Sequence, residues 1–429
     1  MRKNPVARNA KWIIGCRIAQ ALLQLLIGTL TARYLGPPDY GLINFAVSVT
    51  AFAVPVMQLG LQSTLVQEYV EEPDAAGEIM GTALVMNLLS GGCCLAGMTA
   101  FAAAASRGDR LTVLVCVLYG SSLLVQSMEL VQYWFQARLQ AKYSSLAMLM
   151  GYFAVCGYRV FLLVTGKSVL WFALSHALEY ALSGAVLLAQ CRRKGLGRLS
   201  FRFGRAKALL SRSGYYIPAA LLVACFQNTD HIMLTLLAGD AANGLYTCAV
   251  TCAGLTNFVF YAIVDSLRPV ILACRKAKRE AFERKMTGLY ALMNLLSLGQ
   301  SVGFMLLAGP IVGLLYGAAY AAAVPVLRIL VWNTAFSMMG AVRNVWLLAE
   351  EKHHLLWRIN LCGAVSSIVL NILLIPRWGA EGAALASVLT QFFTNFAVGF
   401  LMPSMKENQK LLLKGLRPFS AIKGYFRFY

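Results

Sequence analysis

Ala-Arg-Tyr-Leu-Gly-Pro-Pro-Asp-Tyr-Gly-Leu (residues 32–42) lies between two long apolar stretches, and its reading decides the fold. It reads as a short external turn followed by an apolar helix that Pro55 interrupts and Gln-Leu-Gly (58–60) closes. A weaker copy returns in the second half of the chain. Setting Gly36 against Gly239, an offset of 203, brings Gly41 onto Gly244, Leu42 onto Leu245, Ala46 onto Ala249 and Gln24 onto Gln227. Two halves built on one plan, each feeding polar residues to a shared seam, is a plan common among membrane transporters.

Composition sets the solvent. Of 429 residues, 59% are hydrophobic and only 13% charged, where an ordinary soluble chain carries about 25% charged residues. The apolar runs are roughly 20 residues long, enough to cross ~30 Å of hydrocarbon as helix. Alternating strands of a membrane barrel are not evident. The expected fold is therefore an all-α polytopic membrane protein of about twelve transmembrane helices, in two pseudo-symmetric six-helix bundles around a central cavity. The expected spans are 11–32, 40–62, 79–103, 111–136, 144–165, 169–190, 213–237, 244–268, 286–307, 326–348, 356–375 and 380–402. The expected organisation is an N-terminal bundle (1–191), a basic linker (192–212), a C-terminal bundle (213–402) and a basic tail (403–429). The first helix reads as a permanent span, because no small-residue cleavage site follows a short apolar core.

Orientation follows from lysine and arginine. With the N-terminus inside, the internal segments collect Arg2, Lys3, Arg8, Lys11, Arg138, Lys142, the linker cluster from Arg192 to Arg212, the cluster from Arg275 to Lys285, and a tail including Lys406, Lys423 and Arg427. The external turns hold only Arg33, Arg107, Arg110, Lys167 and Arg377. Both termini are expected in the cytoplasm. The net charge of +20 is then mainly a topology signal, which argues against nucleic acid as a partner and leaves anionic lipid as a secondary one. Phe201, Phe203 and the interleaved arginines suggest that the linker lies on a surface, with a solvated linker as the alternative. The loop between spans two and three is acidic, with Glu68, Glu71, Glu72, Asp74 and Glu78. These residues can pair with the basic loops when an inner gate closes, or complement the positive end of the helix that follows.

Most of the eleven cysteines lie inside apolar runs as small hydrophobes. No cysteine–histidine spacing suggests a metal, and no cofactor is implied. No phosphate-binding glycine loop, nucleophile elbow or catalytic carboxylate pair is present, which speaks against an ATP-driven pump and against an enzyme.

Helical spacing marks where a polar cargo should sit. Asn44, Ser48, Ala51, Pro55, Gln58 and Gln62 share one face, and the offset turns it into Thr247, Thr251, Gly254, Phe258, Tyr261 and Asp265, continued by Arg268. The candidate substrate-binding set is Arg17, Gln24, Gln58, Gln126, Glu129, Tyr133, Asp230, His231, Tyr261, Asp265, Arg268 and Arg343. These lie in spans one, two and four and in their mates seven, eight and ten. Arg17, Arg268, Arg328 and Arg343 are also close enough to an interface to snorkel. Arg159, His176 and Glu179 form either a structural Arg159–Glu179 pair or a site coupling transport to a proton or cation, since intramembrane charge is costly.

Five stretches carry a family resemblance: the 32–42 motif, Leu-Gly-Leu-Gln-Ser (59–63), Gly-Glu-Ile-Met-Gly-Thr-Ala (77–83), Ala-Val-Pro-Val-Leu-Arg-Ile-Leu (323–330) and Ile-Pro-Arg-Trp-Gly-Ala-Glu-Gly-Ala-Ala-Leu-Ala (375–386). Over nearly its whole length the chain resembles bacterial oligosaccharide flippases of the multidrug, oligosaccharidyl-lipid and polysaccharide exporter superfamily. The resemblance implies two facing six-helix bundles with alternating access. It implies a non-enzymatic transporter that moves undecaprenyl-diphosphate-linked oligosaccharide from the inner to the outer leaflet of the bacterial cytoplasmic membrane, for O-antigen, capsule or exopolysaccharide. A glycan polymerase and a chain-length regulator are the implied protein partners. In this reading Arg17, Arg268 and Arg343 replace water around the diphosphate, and amides and aromatics meet the sugars. The rival classes are a cation-coupled multidrug exporter of the same superfamily and a membrane-embedded glycan polymerase or ligase.

Overall fold

The computed structural model describes residues 5–417, and the side chains within them except at 5–15, 17, 18, 63, 276, 277 and 353. Arg2, Lys3, Lys423 and Arg427, and the side chains of Arg8, Lys11 and Arg17, therefore lie outside the described residues. Among the described residues every regular element is helical. In order these are α1 (Pro5–Met57), α2 (Leu61–Glu71), α3 (Ala76–Ala105), α4 (Arg110–Gly120), α5 (Ser122–Val125), α6 (Val131–Ala137), α7 (Ala141–Val164), α8 (Val169–Arg193) and α9 (Phe203–Ser213). They continue as α10 (Tyr216–Ala238), α11 (Asp240–Gly254), α12 (Asn257–Ala277), α13 (Arg279–Tyr316), α14 (Ala323–Ala349), α15 (Leu356–Phe392), α16 (Val398–Leu401) and α17 (Lys406–Gly415).

Among the described residues, ten helical stretches are long and apolar enough to cross a membrane. Two of them, Ala19–Met57 and Leu356–Leu401, run 39 and 46 residues, about twice what one crossing needs. Each holds one non-helical glycine, Gly36 and Gly379, where the chain leaves one helix and starts another. Counted as pairs they restore the expected dozen. Gly36 sits at φ 74°, ψ 173° and its repeat mate Gly239 at φ 86°, ψ 171°. That region is open essentially to glycine alone, so the repeat read from residue identity recurs as one backbone conformation. Pro37 and Pro38 then occupy the first turn of the following helix, where a missing N–H costs nothing.

The chain forms two compact units, Met1–Asn228 and Thr229–Tyr429. The first has a core at the α2 end, where Leu61, Leu65, Ile79, Met80, Trp134, Phe135 and Leu187 are all but inaccessible and Leu209 of α9 joins them. The second has its core around Met286, Leu289, Tyr290, Met338, Val342 and Trp346, joined by Leu411 and Leu412 of α17. Leu209 and Leu412 are themselves 203 residues apart, so each unit carries a short helix held by a leucine at the matching position.

Three expectations about connections change. Span two does not stop in a loop: after Met57, Leu59 and Gly60 adopt left-handed conformations (φ 52° and 68°) and α2 carries the chain on to Glu71. Glu68 and Glu71 therefore sit on a helix, one turn from the 3-10 turn that bears Asp74. Span eight is two helices, α11 and α12, separated at Leu255–Thr256, where Gly254, Thr256 and Asn257 are all weak helix formers. The linker is largely ordered, as α9.

The acidic stretch does meet the basic linker, inside the first unit. Arg205 reaches three carboxylates: Glu68 at 3.2 Å, Glu72 at 2.7 Å and Glu78 at 2.9 Å. Arg212 holds the other oxygen of Glu68 at 2.5 Å. The hydrogen bond from Arg205 pulls the Glu72 carboxyl below the usual carboxylate range, and Glu72 in turn raises Arg205 further above its ordinary value. The extended segment before α9 lies on Gly77 and Gly81 of α3. A Cβ on either would stand 2.4 Å from a linker carbonyl oxygen, that of Arg198 or Ser200. Arg202 N–H completes the contact by donating to Thr82 Oγ1 at 3.2 Å. The second unit uses opposite polarity, with Arg275 and Arg279 closing on a buried Glu350 at 2.9 and 2.7 Å, and Arg279 on Glu407 of α17 at 2.7 Å.

Candidate functional site

The second unit contains a buried carboxylate with no cationic partner among the described residues. Asp230 of α10 is 8% exposed. Its Oδ2 accepts from Tyr246 Oη of α11 at 2.8 Å, and its Oδ1 accepts from Asn371 Nδ2 at 2.6 Å and Ser367 Oγ at 3.1 Å, both on α15. Neutral donors from two helices thus converge on one acid carried by a third, replacing the water it would otherwise need. Asn371 Oδ1 and Thr390 Oγ1 are among several buried oxygens of this unit that have no hydrogen-bond partner. The neighbouring His231 faces a different set: its Nδ1 lies 2.8 Å from Asn243 Oδ1 and 3.3 Å from Thr247 Oγ1, and its ring is 5.0 Å from that of Tyr246. Asp230 and His231 were expected from the sequence. Ser367 and Asn371 were not, although their spacing of four places both on one face of a span.

Arg343 is placed differently from expectation. It is 4% exposed, and its Nη1 donates to the Thr394 carbonyl at 2.9 Å while Nη2 reaches Asn344 Oδ1 at 3.2 Å. Thr394 belongs to a π-helical turn, Phe393–Ala397, where the ladder shifts and carbonyls need outside donors. Arg343 supplies one, so its charge is spent inside the second unit. Asp265 and Arg268 pair at 2.7 Å across one turn of α12, with side chains 61% and 46% exposed, and Tyr261 is exposed one turn earlier.

In the first unit the expected Arg159–Glu179 ion pair is absent among the described residues. Arg159 Nε donates instead to Ser175 Oγ at 2.9 Å, one turn before Glu179 on the same helix. His176 is an aromatic packing element, stacked on Tyr119 at 4.2 Å and edge-on to Tyr180 at 5.0 Å. Span four is broken in its middle: a 3-10 stretch, Gln126–Leu130, separates α5 from α6. Gln126 is buried and its amide stands 3.5 Å from Glu129, while Tyr133 is half-buried on the next turn. A 3-10 interruption in the middle of a helix is a common mark of a hinge. Gln24 is exposed, Gln58 is half-buried and bonded to Gln62, and the Arg17 side chain lies outside the described residues.

Comparison with known proteins gives a consistent placement. Lipid II flippase MurJ, solved in an inward closed conformation, superposes with a TM-score of 0.74 at 13% identity, over 94% of this chain and 90% of that one. The capsular polysaccharide biosynthesis protein CapF of Staphylococcus aureus is 22% identical over 400 residues, covering 90% of this chain and 96% of that protein. The probable low-salt glycan biosynthesis flippase Agl15 of Haloferax volcanii is 20% identical over 394 residues, 90% of this chain and 81% of that one. A sequence profile described as Polysaccharide biosynthesis protein matches residues 6–275. With well over half of its length matched, this multi-pass membrane protein belongs to the polysaccharide biosynthesis protein family.

Proposed function

We propose that the chain is a flippase that carries an undecaprenyl-diphosphate-linked oligosaccharide from the inner to the outer leaflet of a bacterial cytoplasmic membrane, by alternating access and with both termini in the cytoplasm. The observation that carries this reading is the exposed Asp265–Arg268 pair with Tyr261 on α12, a helix otherwise apolar enough to span. An ionised group in hydrocarbon costs at least ~2.5–3.5 kcal/mol, so this face is expected to meet water or a polar cargo. Arg268 is the arginine best placed to offer charge to a diphosphate. Arg343 leaves that role because its guanidinium serves the Thr394 carbonyl.

Asp230 is our candidate for the group that couples transport to an ion. A carboxylate held by neutral hydroxyl and amide donors, with no arginine or lysine in contact among the described residues, is suited to bind a proton or a small monovalent cation. Deleting the gene should abolish the surface glycan and leave its lipid-linked precursor on the inner leaflet. Arg268→Ala should reproduce that phenotype while the protein still inserts. Full glycan export by Arg268→Ala removes the diphosphate role. Drug efflux lost on deletion, with surface glycan intact, points instead to a multidrug exporter.

A further inference from the structure

We propose that a cleft at the α2 end of the first unit, between α2 and the corner joining α9 to α10, is a saccharide subsite that takes a neutral pyranose ring of the transported glycan. This assignment rests on the reading of the chain as a flippase of lipid-linked oligosaccharide. The cleft has a volume of about 380 Å³ and is lined by Thr64, Gln67, Glu71, Arg212, Tyr215 and Tyr216, within the roughly 300–1,000 Å³ of small-molecule sites.

Its walls differ in chemistry. Thr64, Gln67 and Glu71 follow helical spacing along one face of α2. Gln67 Nε2 donates to Glu71 Oε1 at 2.6 Å, which fixes the amide beside the carboxylate and leaves the other amide hydrogen, the amide oxygen and Glu71 Oε2 able to bond adjacent hydroxyls. Tyr215 and Tyr216 form the opposite wall. Their rings are 4.1 Å apart and tilted by 35°, and Tyr215 is 66% exposed. A pyranose has this same division, with a C–H face that packs on an aromatic ring and an edge of hydroxyls that needs paired donors and acceptors.

The corner is held close to α2. Ser213 Oγ donates to the Leu59 carbonyl at 2.7 Å, and a Cβ on Gly60 would lie 2.4 Å from the Ser213 carbonyl oxygen and 3.1 Å from Tyr216 Cβ. Any other residue at position 60 would push the tyrosines away from Gln67 and Glu71. Charge selects the ligand. Arg212 is engaged by Glu68 at 2.5 Å and stands 3.9 Å from Glu71 Oε2. A phosphate or uronate would have to displace Glu68 and then face Glu71, whereas a neutral ring meets a balanced pair.

The test uses the full chain in lipid nanodiscs, which avoids sugar-headed detergents, and saturation-transfer difference NMR. The probes are methyl glucopyranoside, methyl galactopyranoside, methyl N-acetylglucosaminide and, as the charged control, methyl glucuronide. At least one neutral glycoside should receive saturation, concentrated on one C–H face. Its binding should weaken by roughly tenfold, one factor of ten in affinity, in Tyr215→Ala and in Gln67→Leu, and recover in Tyr215→Phe. No transfer to any neutral glycoside, transfer to the glucuronide alone, or transfer unchanged in Tyr215→Ala and Gln67→Leu each overturns the subsite. Reconstituted flipping of lipid-linked glycan separates the two readings. Flipping without saccharide transfer removes the subsite and keeps the flippase. Saccharide transfer that depends on Tyr215, in a chain that flips nothing, removes the flippase and keeps a sugar site.

Discussion

Replacing Arg205 with methionine should release α9 from the first unit without unfolding the rest. The arginine side chain is 16% exposed and touches Glu68, Glu72 and Glu78, whose side chains are 7%, 52% and 25% exposed. The contacts to Glu68 and Glu78 are each worth a gross ~4 kcal/mol at an effective dielectric constant of about 20, but desolvation offsets most of that. Removing one partner of a buried pair costs about 3–5 kcal/mol. Arg212 still neutralises Glu68 at 2.5 Å, and Glu72 faces water, so we place the net loss at about 2–3 kcal/mol. Methionine keeps the aliphatic stem, so the loss reports charge and hydrogen bonding rather than packing. Hydrogen exchange of residues 203–213 should accelerate by roughly 30- to 160-fold, the same free energy expressed as a local opening constant. Adding Glu78→Gln should recover part of that loss, because without Arg205 that carboxylate keeps only Arg202 at 3.8 Å and a neutral amide removes its charge. A change of less than about threefold in the single variant would refute the reasoning that this ion cluster, rather than Leu209 alone, fastens the helix.

Three other outcomes follow from the same geometry. Gly36→Ala and Gly239→Ala should each lower thermal stability, by about 1–3 kcal/mol, because both positions lie in a region that admits essentially only glycine; unchanged melting in both would mean the turns are not as described. Tyr246→Phe removes the 2.8 Å donor to Asp230 and should cost about 1.5–3 kcal/mol, whereas a neutral result in a thermal-shift assay would mean that this hydroxyl does not support the carboxylate. The pH dependence of the α9 attachment is set by Glu72, whose carboxyl Arg205 holds below its ordinary value. Its contribution is fully present above the ordinary carboxylate pKa and is lost as pH falls through the lowered one. Exchange protection of α9, corrected for intrinsic rate, should therefore be flat from pH 8 to about 5 and decline below about 4; a decline centred near pH 6.5 would implicate another group.

Much of the fold was legible because it depends on period and on glycine. The spans follow from apolar length, and the repeat follows from Gly36 and Gly239, whose matching backbone angles give a reason for the match. What could not be read is what depends on a neighbour's backbone. Arg343 looked like a ligand for cargo because its depth in span ten is visible in sequence, whereas the π-helical turn that frees the Thr394 carbonyl is not. Arg159 was assigned to the right helix and the wrong turn, since Ser175 and Glu179 lie on one face and only geometry separates them. Ser367 and Asn371 escaped notice because amides and hydroxyls are common in spans, and they gain meaning only when Asp230 is found between them. The acidic residues from Glu68 to Glu78 were correctly matched with a basic partner, but as part of a latch within one unit.

The central claim, that this chain moves a lipid-linked glycan across the bilayer, is tested most directly by reconstitution. Proteoliposomes carrying an undecaprenyl-diphosphate-linked oligosaccharide labelled in the inner leaflet should expose the glycan to an impermeant lectin or glycosidase on the outside. Wild-type protein should raise that exposure well above protein-free liposomes, and Arg268→Ala should return it to the protein-free level. Glycan that remains inaccessible with folded wild-type protein, in the presence of either a proton or a sodium gradient, would contradict the account.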